Sequence, residues 1–199
     1  MSFLDLARIL VAGVVLGLVL ARVVARRPRH LRRLRPRFWL AAMRKMSRKQ
    51  WARLIAVSLL VAAASIMLST LFSNLFYDYG MPMISPEEYP FTGIEQDYPL
   101  VTLAIVNVLP IFEEWIFRGI IIDEMIRWRR SKLLAVTVSA LIFAFFHLSN
   151  PGTYAAFALS LIPASLLLGA CYLYTGLGGA ILAHDSYNTF LLLIGITMR

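Results

Sequence analysis

The sequence predicts an all-α fold, a polytopic membrane helix bundle of about six transmembrane helices. Three observations lead there. Of the 199 residues, 59% are hydrophobic and only 16% are charged, whereas soluble domains are nearer half apolar and a quarter charged. The mean hydropathy is +0.71. The apolar residues gather into six runs, comparable with the roughly 20 residues that a spanning helix needs.

The first run, residues 4–25, carries Asp5, Arg8 and Arg22 near its ends, where long side chains reach the headgroups. A cleaved signal peptide fits less well, because a polybasic stretch follows instead of a small-residue cleavage site. That stretch, residues 26–53, is broken by Pro28 and Pro36 and holds twelve of the twenty Lys and Arg. It reads as a topology signal and a contact for anionic lipid headgroups. The net charge of +9 therefore does not point to nucleic acid. Trp39, Met43 and Met46 recur at helical spacing within the stretch, which suits either a helix in the headgroup plane or a solvated basic loop.

The second run, residues 54–76, leads into an acidic connector, residues 77–97, that contains no Lys or Arg. The third run spans residues 99–122 and is followed by Arg127, Arg129, Arg130 and Lys132. The fourth, residues 133–148, ends at a turn-forming Ser149-Asn150-Pro151-Gly152. The fifth, residues 154–174, contains Pro163, a kink signal. After a glycine-rich turn the sixth run reaches Met198. Both basic connectors follow odd-numbered runs. The positive-inside rule then sets both connectors in the cytoplasm, with both termini and the acidic connector outside. The single cysteine, Cys171, excludes an internal disulfide and reads as buried packing. Residues 1–95 form an N-terminal helix pair with its connectors. Residues 96–199 form a four-helix core.

The chemistry sits in that core. Glu113, Glu114 and Arg118 lie within an apolar run, where ionisable groups are costly unless partnered. Glu114 and Arg118 are four apart and share a helix face. Glu113 points about 100° away and is free for another task. His147 follows Phe143 by one turn, and His184 and Asn188 stack four apart. Each feature alone also fits a structural role: an ion cluster, a hydrogen-bonded histidine, interhelical glue of ~1 kcal/mol. At 1.5 Å per residue from the cytoplasmic ends, Glu113 comes out roughly 14 Å deep, His147 roughly 20 Å, His184 roughly 9 Å and Asn188 roughly 15 Å. One polar chamber can hold them all. A carboxylate in low-dielectric surroundings beside a histidine can deprotonate a water. A second histidine and an amide can donate to an oxyanion. Glu and two His also match a catalytic zinc set, although the paired-histidine HExxH motif is absent. Spacing leaves both chemistries open.

Glu113-Glu114-x-x-x-Arg118 with Phe117-Arg118-Gly119, then Phe143-x-x-x-His147, then His184-x-x-x-Asn188 resemble the three ordered motifs of the CAAX-protease and bacteriocin-processing (CPBP, or Abi) family of intramembrane endopeptidases. The likeness runs from about residue 99 to residue 193. It implies a membrane-embedded peptidase of a prokaryotic cell membrane, open to the cytoplasm. In that role Glu113 activates water, His147 positions it, and His184 and Asn188 form the oxyanion hole, with Glu114 and Arg118 in support. The implied substrate is a peptide or lipid-modified protein, cleaved near its C-terminus without a cofactor. A zinc-dependent form of the same peptidase is the nearest alternative. The chain has fewer spans than the CAAX enzymes, which bears on prenyl recognition. The competing functions are a non-catalytic scaffold or bacteriocin-immunity protein, and a proton-coupled carrier. The amide at Asn188 suits oxyanion binding better than a proton relay.

Overall fold

A computed structural model describes residues 3–85 and 98–197. The described residues form helices, with no strand longer than an isolated bridge. In order these are α1 (Phe3–Arg26), α2 (Arg29–Arg32), α3 (Pro36–Arg44), α4 (Arg48–Asp78), α5 (Pro99–Arg129), α6 (Lys132–Phe146), α7 (Ala155–Thr175) and α8 (Leu177–Thr197). Five of them are long and apolar enough to cross a membrane: the one that includes residues 6–26, then α4, α5, the stretch Lys132–Ser149 that contains α6, and α7. The sixth run does form a helix, α8. His184, Asp185, Tyr187, Asn188 and Thr189 interrupt its apolar character and lower this helix's hydropathy. The protein is an integral membrane helix bundle.

Local chemistry sets the helix boundaries. Ser47 caps α4 through a reciprocal capping box with Gln50, satisfying donors that a helix start leaves free. Ser131 caps α6 by accepting from Leu134. Gly176 closes α7 at φ +81°, a left-handed backbone that glycine adopts without strain. Pro163 lies inside a continuous α7.

α7 is the most buried helix and sits against α4, α6 and α8. Small residues permit that approach. A Cβ on Gly169 would stand 2.8 Å from Val136 Cγ1 on α6. Cys171 is buried beside Leu168 and Ala183, as expected of packing. α1 by contrast buries none of its apolar window. At the opposite end from the basic connectors, Ser85 N–H donates to Gly152 O and Tyr154 N–H to Met83 O. This joins the start of the acidic connector to the turn after α6. The rest of that connector, residues 86–97, lies outside the described residues.

The basic connector is helical in part. α3 is a helix, but it ends before Met46, and Trp39 turns inward to touch Gly178 and to donate from Nε1 to Arg33 O at 2.6 Å. His30 is fully buried. Part of the connector is thus docked on the bundle.

Candidate active site

α5 carries the first motif and changes its own winding there. Regular α-helix runs to Glu114, a π-helical stretch covers Trp115–Ile122, and α-helix resumes at Asp123. π stretches widen the turn and recur at functional sites. One turn ahead of the glutamates, Pro110 lacks the N–H that would bond to the carbonyl four residues back. That carbonyl belongs to Val106, and Asn188 Nδ2 on α8 donates to it at 3.1 Å. Beside it Thr189 donates to Asn107 Oδ1 at 3.1 Å. Asn188 therefore ties α8 to the proline gap of α5 with one of its two amide hydrogens.

The glutamate–arginine pair is fully buried. Glu114 and Arg118 are both 0% exposed and meet at 2.8 Å. Arg118 also donates to Ser165 O at 3.1 Å and to Ser165 Oγ at 2.8 Å, and its guanidinium lies 4.5 Å from the Phe143 ring centroid. A planar fork that bonds two residues at once while stacking on a ring suits arginine rather than lysine. The same Glu114 oxygen accepts from His184 Nδ1 at 2.8 Å. This fixes the imidazole so that Nε2 faces Glu113, 3.7 Å away. Glu113 keeps 24% of its side chain accessible. Of the two adjacent acids Glu114 is sealed and Glu113 is partly exposed.

His147 begins the 3-10 turn His147–Ser149 at the end of α6. Its Nδ1 donates to Phe143 O at 2.9 Å, leaving Nε2 as the acceptor. Thr153 Oγ1 donates to His147 O at 2.7 Å and secures the turn. The Phe143 ring lies between the imidazoles, with centroids 4.7 Å from His147 and 5.7 Å from His184. Glu113, His184 and Arg118 all lie within electrostatic range of His147. The structure thus brings Glu113, Glu114, Arg118, His147 and His184 together around Phe143, with Asn188 one turn further along α8 and engaged with Val106. Among the described residues no three His, Cys, Asp or Glu side chains are grouped as a metal site.

Sequence reasoning missed the support beneath the site. Arg33 Nη1 donates to Gly119 O at 2.6 Å and its Nη2 to Asp123 Oδ2 at 2.8 Å, while Tyr172 Oη donates to Asp123 Oδ1 at 2.6 Å. Burial works against the Arg33 charge, but Tyr172 and Asp123 outweigh it and raise its pKa above the ordinary value. His30 Nε2 donates to Glu124 Oε1 at 2.9 Å, and Trp115 Nε1 donates to His30 O at 2.9 Å. Asp123 and Glu124, directly after an apolar run and facing a basic stretch, were the available signal.

A family model described as type II CAAX prenyl endopeptidase Rce1-like matches residues 95–190. Over those residues the chain is similar to the Rce1-like family. The match takes in all three motifs and agrees with the resemblance they carry. The match supports a CAAX-type membrane protease in general terms. No curated protein and no solved structure matches the chain.

Proposed function

We propose that this protein is an intramembrane endopeptidase that hydrolyses a peptide bond with a water activated by Glu113. The observation that carries the reading is the double use of one Glu114 oxygen. By holding both Arg118 and His184, it aims His184 Nε2 at Glu113.

Glu113 Oε2 and His147 Nε2 are both acceptors, so together they can accept hydrogen bonds from both O–H groups of one water and leave its lone pair for a carbonyl carbon. Glu113 then receives the proton as the water attacks. His184 already donates Nδ1–H to Glu114. To donate from Nε2 to the oxyanion it must carry both protons. That charge is balanced, because Glu114 is matched by Arg118 and Glu113 by the imidazolium. Asn188 adds its second amide hydrogen to the oxyanion. Glu113 can return its proton to the leaving amine.

The proposed substrate is a peptide at the C-terminus of a prenylated or otherwise membrane-associated protein, reached from the cytoplasmic side without a cofactor. Gly119 touches both Arg33 and Leu177 and so marks the level of the basic connector. Glu114 lies five residues further in, roughly 6–8 Å along the helix. By the positive-inside rule, this depth supports cytoplasmic access.

The test is a cleavage screen of purified protein against prenylated and unprenylated C-terminal peptides and leader peptides. Glu113→Gln is expected to lower the rate by about 10²–10⁴-fold, the usual contribution of a general base, with unchanged thermal stability. Undiminished activity in that variant removes Glu113 from the mechanism. Stoichiometric zinc in active protein would replace the metal-free form with zinc held by Glu113, His147 and His184.

A further inference from the structure

We infer that the basic connector ahead of the family segment belongs to the catalytic apparatus, with Arg33 as a positioning residue that locks the π-helical stretch of α5. The inference rests on reading the chamber as a peptidase site.

A helix that returns from i→i−5 to i→i−4 bonding skips one carbonyl. For a π stretch that ends at Ile122, the skipped carbonyl is that of Gly119. In the bundle interior an unpaired carbonyl is strongly disfavoured. Arg33 Nη1 supplies the missing donor at 2.6 Å. A Cβ on residue 119 would stand 3.2 Å from that nitrogen, so glycine leaves room for the guanidinium. Nη2 of the same group is anchored to Asp123 at 2.8 Å, and Tyr172 holds Asp123 from α7 at 2.6 Å. One planar fork therefore spans the last π turn and the first α turn.

The connector also grips the start of the stretch. His30 O accepts from Trp115 Nε1, and Arg33 O accepts from Trp39 Nε1. Residues 30–39 thus contact α5 at Trp115, Gly119, Asp123 and Glu124. A π stretch acts as a one-residue insertion. Its relaxation to α-helix rotates the two ends of α5 by about 100° relative to each other. With the cytoplasmic end pinned by Asp123 and Glu124, that rotation falls on Glu113, Glu114 and Arg118. A connector serving only as a topology signal would not set this register.

The experiment uses the full chain in detergent micelles, with Arg33→Ala, Arg33→Lys and Gly119→Ala. Arg33→Ala is expected to lower kcat at least tenfold with KM within twofold. Lysine should restore only part of kcat, since one ammonium cannot bridge both acceptors. Gly119→Ala, which displaces the fork, should behave like the alanine variant. Amide hydrogen exchange should quicken selectively across residues 113–123. Wild-type kcat in folded Arg33→Ala overturns the inference, as does exchange that quickens over the whole chain. If Arg33→Ala does not fold, Arg33→Lys and Gly119→Ala decide, and wild-type kcat in both overturns it. If the wild type cleaves no substrate, the peptidase reading fails separately. Exchange confined to residues 113–123 in the variants then decides for the lock, and unchanged exchange decides against it.

Discussion

Replacing Arg118 with methionine would expose how the buried cluster around Glu114 is held together. The side chain is fully buried and makes three hydrogen bonds, to Glu114, Ser165 O and Ser165 Oγ, while stacking on Phe143. Methionine fills much of the volume but removes the charge and every donor. Glu114 is left as a buried carboxylate with only His184 beside it, and its Oε2 already lacks a partner among the described residues. Breaking a buried pair from one side typically destabilises by about 3–5 kcal/mol, a large share of the ~5–15 kcal/mol that holds a domain folded. Glu114→Gln in the same chain removes the stranded charge and keeps an oxygen for His184 Nδ1. The double variant should therefore be more stable than the sum of the single losses implies, by about 2–3 kcal/mol of coupling. Equilibrium unfolding in mixed micelles measures all three variants. A loss below about 1 kcal/mol in Arg118→Met, or coupling below about 0.5 kcal/mol, would refute the account of Glu114 as a charge held by Arg118.

Asn188→Ala should act on two scales at once. Stability is expected to fall by about 1 kcal/mol, because an interhelical hydrogen bond in a membrane is lost, and kcat should fall by about 10²–10³-fold as an oxyanion donor disappears. A stability loss with unchanged kcat would leave this residue purely structural. Gly169→Ala should destabilise by about 1–3 kcal/mol by overpacking, since the new methyl meets Val136 Cγ1 at 2.8 Å. Val136→Ala in the same chain should recover most of that loss in a thermal unfolding assay, and failure to recover would place the clash elsewhere.

The residues that sequence periodicity could reach were those bound by helical spacing. Glu114 and Arg118 are four apart and do pair. Phe143 and His147 are four apart, and their rings do meet. That His184 would find Glu114 rather than Glu113 as its close partner was not readable, because it depends on how α5 is wound. No local composition announces a π stretch, and the carbonyl it frees is visible only once its donor, Arg33, is seen. The docking of the basic connector was hidden for a physical reason. Charge clustering beside an apolar run carries orientation information whether or not individual side chains dock, so His30 and Arg33 were indistinguishable from their solvated neighbours. Pro110 was legible in principle. A proline inside a spanning helix always orphans a carbonyl four residues earlier, and counting back gives Val106, the group that Asn188 serves.

That last contact has a wider consequence. The same amide braces a broken backbone and is the proposed host for a developing negative charge, so variants at position 188 entangle folding with chemistry. Position 110 offers a way to separate them. An alanine there would bring its own N–H to Val106 and release the α8 side chain from bracing duty. The break in α5 thereby governs how many hands Asn188 has to offer a reacting carbonyl.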